Sequence, residues 1–213
     1  MTLQVCETFL SILGESSLAG LPGFFIRLTG CNLRCRYCDT TYAYAGGEEL
    51  PAAALLESAR ASRATVALVT GGEPLLQADT LPLLARLADA GLTVCLETNG
   101  SLPVAGVDPR VRLILDLKCP GSLMAEHNHW ENLELLKPED EVKFVISDQD
   151  DFAWALAVID QHRLHERAGV LISPVFGQVP AQAAAAWILA SHLPLRLNLQ
   201  IHKYIWGPEA RGV

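Results

Sequence analysis

Apolar, strand-length runs recur along this chain at residues 24–29, 65–70, 92–97, 112–117, 141–146, 169–173 and 195–200. Ala/Leu-rich segments of helical length fall between them at 52–61, 80–90, 152–164 and 181–191. Such alternation is the pattern of a parallel sheet with helical crossovers. The chain has 213 residues, whereas a complete eight-stranded barrel typically takes about 250. The expectation is an α/β protein built as a partial, open βα barrel with mostly parallel strands, in one domain over residues 1–213.

Composition removes several classes of function. A formal net charge of −8 with no basic stripe argues against nucleic acid as a partner. No apolar run reaches the roughly 18 residues that would span a bilayer, so no membrane partner is expected. The opening stretch MTLQVCETFLSILGE lacks a basic leader and carries early acids, unlike a secretory signal. Six cysteines without an export signal point to a reducing, cytoplasmic setting in which thiols serve metals or redox chemistry.

Polar signatures gather where the runs end: Thr70-Gly71-Gly72-Glu73-Pro74, Glu97-Thr98-Asn99-Gly100, Asp116-Leu117-Lys118 and Gln200-Ile201-His202-Lys203. In parallel α/β folds the C-terminal strand ends carry the site.

Residues 30–43, GCNLRCRYCDTTYA, set Cys31, Cys35 and Cys38 on one glycine-led loop. A thiol–disulfide couple at Cys35 and Cys38 would leave Cys31 without a role. Structural zinc needs a fourth ligand; Cys6, His127 and His129 are available, but no second paired-ligand motif accompanies them. His127 and His129, close together in a polar loop, read as solvated. Burial as small hydrophobes suits Cys6 and Cys95 but not three thiols on one loop. The remaining reading is an iron–sulfur cluster. A 4Fe–4S cluster commonly takes four cysteines, so a loop that offers three leaves one iron open to a ligand.

The Cys-x3-Cys-x2-Cys spacing with Tyr37 before the last cysteine, followed by Thr70-Gly71-Gly72-Glu73-Pro74, resembles the radical S-adenosylmethionine (SAM) superfamily. The resemblance implies a partial βα barrel, a 4Fe–4S cluster on Cys31, Cys35 and Cys38, and SAM as cofactor. The open iron would bind the methionyl amino and carboxylate groups, and one electron would cleave the sulfonium to a 5′-deoxyadenosyl radical. Gly71 and Gly72, without Cβ atoms, would let backbone carbonyls approach the methionyl ammonium. Glu73 would complement or organise that positive end.

Alternation along 24–29 puts Phe24, Ile26 and Leu28 on one strand face and Phe25, Arg27 and Thr29 on the other. An arginine among apolar neighbours needs an anion. An internal salt bridge to Glu7 or Glu15 is one answer; bidentate capture of a substrate carboxylate is the other.

With the stretches Glu7 to Glu15 and Gly23 to Leu28, Cys38-Asp39-Thr40, and the closing Leu199-Gln200-Ile201-His202-Lys203, the sequence resembles the 7-carboxy-7-deazaguanine synthase family from Glu7 to about Pro208. That resemblance implies conversion of 6-carboxy-5,6,7,8-tetrahydropterin to 7-carboxy-7-deazaguanine with loss of ammonia, in the biosynthesis of queuosine and related 7-deazapurines. Carried over by motif, Tyr37, Asp39, Gly71, Gly72, Glu73, Asn99, Asp116, Lys118, Ser173, Pro174 and Val175 would meet SAM. Thr40 would hold Mg2+. Ile12, Leu13, Gly14, Arg27, Thr70, Gln200 and His202 would meet the pterin, with Glu15 and Arg27 catalytic. A reducing protein such as flavodoxin or ferredoxin and a homodimer are also implied.

Leu13-Gly14-Glu15-Ser16 departs from that family's Gln-Gly-Glu-Gly, which bears on substrate affinity rather than on reaction type. In an extended tail, Asn198, Gln200 and His202 would share a polar face opposite Leu197, Leu199 and Ile201, suited to a heterocycle. The rivals are a glycyl-radical-enzyme activase, which shares the cysteine spacing, and a non-enzymatic iron–sulfur or zinc module.

Overall fold

The computed structural model describes residues 1–213 and forms one nine-stranded sheet. Its strands are β1 (Thr2–Ile12), β2 (Pro22–Leu28), β3 (Glu48–Pro51), β4 (Val66–Gly71), β5 (Thr93–Thr98), β6 (Arg112–Leu117), β7 (Glu141–Ile146), β8 (Gly169–Pro174) and β9 (Arg196–Leu197). They run in the order β3-β1-β2-β4-β5-β6-β7-β8-β9. From β2 to β9 every pairing is parallel, while β1 lies antiparallel to both β2 and β3. Edge strands β3 and β9 do not meet, so the barrel is open, as expected.

Helices α1 (Ala52–Ala61), α2 (Thr80–Asp89), α3 (Gln149–His162) and α4 (Ala181–Ser191) cover the outer face. Their apolar stripes join strand residues such as Ile26, Val69, Leu96, Leu115 and Phe144 in a core cluster of 36 buried residues. Each of those five side chains is fully buried, a transfer term of about 1.5–3 kcal/mol apiece. The helix expected at 152–164 begins earlier, because the Asp148 carboxylate accepts from Asp151 N at 2.9 Å and caps a polar first turn. It stops at His162, where Arg163 turns left-handed (φ 52°).

Two expectations are corrected at the ends of the chain. The opening segment is an eleven-residue strand, β1, which the sequence reading did not assign. The strand expected at 195–200 is only two residues long, and helix α5 (Ile201–Trp206) follows it. The face-sharing expected of residues 197–202 therefore fails. Asn198 N still donates to Ile172 O of β8 at 2.9 Å, but its side chain ties the chain to other elements just past β9: Oδ1 accepts from Ser16 N and Nδ2 donates to Ser173 Oγ, both at 2.8 Å. Thr29 likewise lies just past the end of β2 rather than on its inner face.

Candidate active site

The parallel strands bring their C-terminal ends to one rim, and the inner face of the sheet changes character on the way. An apolar residue is followed two positions later by a polar one: Phe25 then Arg27, Leu68 then Thr70, Cys95 then Glu97, Ile114 then Asp116. Residues two apart share a face, so the apolar members cluster at the bottom of a cavity of about 670 Å³ and the polar members line it above.

One wall is the loop after β2. Cys31, Cys35 and Cys38 all line the cavity, each half-buried. Leu33 N and Asn99 Nδ2 donate to Cys31 Sγ at 3.4 and 3.8 Å. Burial pushes the Cys35 thiol up against the pull of the Lys118 ammonium. The loop is pinned by Gly30 N donating to Ala43 O (2.8 Å), Arg36 N to Ser122 O (3.1 Å) and the Tyr37 hydroxyl to Val145 O (2.9 Å). No three His, Cys, Asp or Glu side chains are already drawn together tightly enough to enclose an ion.

Behind this loop, the end of β4 approaches so closely that a side chain does not fit. A Cβ on Gly71 (φ +143°) would lie 2.1 Å from Leu28 O, and one on Gly72 would lie 2.0 Å from Gly30 O. Gly72 N and Glu73 N donate to those same carbonyls at 3.1 and 2.7 Å. The glycines thus serve backbone-to-backbone packing, a different reason from the access expected for a methionyl group. Glu73 requires a correction as a ligand contact. It is fully buried, does not line the cavity, and accepts from Leu75 N, Thr98 Oγ1 and Asn99 N at 2.7–2.9 Å. Its role is to hold the ends of β4 and β5 together, and burial raises its carboxyl against those donors.

On the opposite wall Arg27 donates from Nε to Glu7 Oε1 at 2.7 Å, which is the internal salt bridge weighed from the sequence. Tyr42 donates to the same oxygen at 3.1 Å, and burial pushes its phenol up to about 12. The terminal guanidinium nitrogens of Arg27 make no hydrogen bond within the protein, and the residue lines the cavity. The salt bridge to Glu7 thus anchors Nε and leaves the terminal nitrogens of this cavity-lining residue without a partner.

The interior carries a network of charges. Lys143 Nζ contacts Glu97 closely, Glu15 Oε2 at 3.1 Å and Asp116 Oδ2 at 3.6 Å. Lys118 pairs with Asp116 Oδ2 at 2.9 Å, while Asp116 Oδ1 is buried without a partner. Burial opposes the charge on Lys118, but Asp116 and Cys35 outweigh it and raise the ammonium above its usual value. Gln200 Nε2 donates to Glu15 Oε1 at 2.8 Å, and Thr70 Oγ1 to Glu97 Oε2 at 3.2 Å.

The mouth is closed by α5. Lys203 Nζ donates to Asp39 Oδ2 at 2.6 Å and Thr40 Oγ1 to Asp39 Oδ1 at 3.0 Å. Partial burial works against the Asp39 charge, and Lys203, Gln200 and Thr40 together hold it below the usual carboxylate range. His202 stacks so closely on Gly14 that a Cβ there would lie 2.0 Å from Nδ1; burial lowers its imidazole. Ile12, Leu13, Gly14, Glu15, Ser173, Pro174 and Val175 also line the cavity. His127 and His129 do not. Lys143, Glu97, Tyr42 and Lys203 were given no individual role from the sequence. The signal for Lys143 was a lysine inside the strand run EVKFVI.

Residues 25–161 match the radical SAM superfamily. A 7-carboxy-7-deazaguanine synthase of Chlorobaculum tepidum is 47% identical over 99% of this chain and 97% of its own length. Another, from Koribacter versatilis, is 40% identical over 99% of this chain and 100% of its own. The chain belongs to the 7-carboxy-7-deazaguanine synthase family of radical SAM enzymes. A crystal structure of QueE from Escherichia coli shares the fold, with a TM-score of 0.75 at 22% identity over 93% of this chain and 94% of that one. More distantly, Streptococcus suis SuiB in its SAM-bound structure gives 0.54 at 14% identity over 79% of this chain and 44% of that one.

Membership of this radical SAM family implies a 4Fe–4S cluster and SAM, and the residues present fit both. Three thiols occupy one cavity wall without a fourth cysteine on it: Cys6 lies on β1, Cys95 is buried in the apolar bottom of the cavity, and Cys119 belongs to the large core. The unpartnered Asp116 Oδ1 is an acceptor beside that wall, suited to an ammonium. At the mouth, Thr40 uses its proton on Asp39 and keeps its oxygen lone pairs, a hard donor of the kind Mg2+ accepts alongside water and substrate oxygens.

Proposed function

We propose that this chain converts 6-carboxy-5,6,7,8-tetrahydropterin to 7-carboxy-7-deazaguanine with release of ammonia. The observation that carries the reading is Arg27: its Nε is fixed by Glu7 while its outer fork faces a cavity lined by the three cysteines. A planar fork held in this way suits a carboxylate bound through two parallel hydrogen bonds. Cys31, Cys35 and Cys38 would hold the cluster, and Tyr37, Asp39, Gly72, Asn99, Asp116, Lys118 and the stretch Ser173 to Val175 would border SAM. When bound there, the cluster and SAM would supply one-electron radical chemistry at C6 of the substrate.

The protein's own contribution is orientation and exclusion of water. Arg27, with Mg2+ on Thr40, would fix the carboxylate; Gln200, His202 and Thr70 would border the ring. The apolar bottom made by Phe25, Leu68, Cys95 and Ile114 keeps the ring's far side dry. We further propose a cytoplasmic homodimer that receives electrons from a small reducing protein such as flavodoxin or ferredoxin.

The test is anaerobic reconstitution with SAM, dithionite and the carboxytetrahydropterin, with and without Mg2+. Formation of the deazaguanine acid supports the reading; SAM cleavage without it sinks the substrate assignment. Arg27→Ala should lower kcat/KM by about 100-fold, the loss expected for charged hydrogen bonds, with the cluster's absorbance unchanged. Wild-type activity in that variant would remove the clamp.

A further inference from the structure

Lys143 is out of place by composition. It sits in the middle of β7, only 5% exposed, between Val142 and Phe144, which belong to the large core. On the inner face it lies opposite Asp116 of β6 and Leu171 of β8. An ammonium has three donors, and here three carboxylates surround it: Glu97 of β5, Asp116 of β6, and Glu15 from the loop after β1. Its hydrogen bonds go to Glu97 and Glu15, while Asp116 Oδ2 at 3.6 Å is a charge neighbour beyond hydrogen-bond reach, so every contact of the ammonium is with a carboxylate and the lysine acts through them.

Those carboxylates are not themselves saturated. Glu97 and Glu15 each line the cavity, and an ionised carboxylate accepts at about four lone-pair sites. Between them, Glu97 takes Lys143 and Thr70, and Glu15 takes Lys143, Asn198 and Gln200. Both retain acceptor capacity. Such a surface fits a ligand edge rich in N–H groups and disfavours one that presents carbonyls.

We propose that Lys143 is a positioning residue for the substrate, tying Glu15 and Glu97 into one fixed floor of acceptors for the N–H edge of the substrate's 2-amino-4-oxopyrimidine ring. This rests on the substrate assigned above. Arg27 holds the carboxylate end, and the floor selects the opposite end of the molecule.

The charged groups facing Glu97 and Glu15 are Lys143 and Arg27, with His202 of α5 beside Glu15; Asp116 faces Lys143 and is paired in turn with Lys118. Removing Lys143 takes away the chief influence that holds the Glu97 carboxyl down against burial, so its affinity for a proton rises. A protonated Glu97 loses acceptor capacity, so binding should weaken as pH falls.

The experiment compares wild type, Lys143→Met, Lys143→Arg and the double variant Lys143→Met/Glu97→Gln. All are reconstituted with the cluster and checked by iron content and circular dichroism. Equilibrium binding of the carboxytetrahydropterin and KM are read from pH 6 to 8. Lys143→Met should bind about ten- to a hundred-fold more weakly, worst at pH 6, with kcat affected far less. Lys143→Arg should recover most of the affinity. In the double variant the extra pH limb should vanish while binding stays weak. Should Lys143→Met fail to fold, the arginine and double variants carry the comparison. Unchanged affinity in a folded Lys143→Met, or a double variant that binds like wild type, overturns the proposal. Failure of wild type to turn over the pterin would instead overturn the substrate assignment.

Discussion

Gly72 shows how a residue can be readable while its reason is not. The Thr70-Gly71-Gly72-Glu73-Pro74 motif stands out in the sequence, and the expected purpose was room for a cofactor. The structure gives a backbone reason: the end of β4 lies against the carbonyls of Leu28 and Gly30. A carbonyl oxygen cannot move aside as a flexible side chain can, so Gly72→Ala should cost about 3 kcal/mol and displace the cysteine loop. Denaturant unfolding and iron content after reconstitution measure both; a fully loaded, equally stable variant would refute the packing argument. Ser16 is the contrasting case. It adopts φ 75°, a conformation that glycine takes without strain, while its Oγ accepts from Leu18 N at 3.1 Å. Relief of strain and loss of that bond oppose each other, so Ser16→Gly should fall within about 1 kcal/mol of wild type. Leu13, the other departure, is 3% exposed and joins the apolar bottom of the cavity. Packing thus stands where a glutamine would offer a hydrogen bond.

At the level of elements, the parallel strands and four outer helices were readable because their periodicity survives burial. Strands 112–117 and 141–146 and helices 52–61 and 181–191 match the structure in both bounds. The elements that escaped are those whose partners are remote. Nothing local marks β1 as a strand between β2 and β3, and its inner residues alternate irregularly across a register shift between Val5 and Glu7. At the other end, apolar alternation suggested a strand where α5 forms. Side-chain bonds from Asn198 to residues more than 20 positions away fix the chain where it turns from β9 toward α5, and a window of neighbouring residues carries no sign of them. The polar members Gln200 and His202 nonetheless line the cavity as expected. α5 is held there by Lys203, 9% exposed, on Asp39 of the cysteine loop. With Asp39 near half-exposed, solvent screens that pair, so Lys203→Met should cost about 1 kcal/mol, or about 2–4 °C in Tm. Its amides in α5 should exchange faster than those of α3. Equal exchange protection in α5 would show that the ion pair does not hold the helix.

For the whole molecule, the interior charges set how stability follows pH. Burial opposes ionisation of Glu97, but Lys143 and Thr70 outweigh it and hold its carboxyl below the ordinary value. A depressed carboxylate stabilises the fold above its unfolded value, about 4.3, and stops doing so as pH falls through its native value. Burial likewise opposes the charge on Lys143, yet Glu15, Glu97 and Asp116 raise it well above the ordinary value. A raised lysine stabilises below about 10.4, and that contribution is lost as pH climbs through its native value. Glu73 runs the other way: raised by burial, it weakens the fold progressively as pH rises through about 4.3 and partly offsets the acid-side loss. The wild-type Tm should therefore be nearly level from about pH 5 to 9 and decline on both sides. Lys143→Met reverses one slope. Without that cation the burial that opposes the Glu97 charge is no longer outweighed, its carboxyl rises, and stability is lost as pH rises rather than as it falls. The variant should melt at a higher temperature at pH 5 than at pH 7 while wild type barely changes. Scanning calorimetry at the two pH values decides it, and a variant with the wild-type slope would mean that Lys143 does not hold the Glu97 carboxyl down.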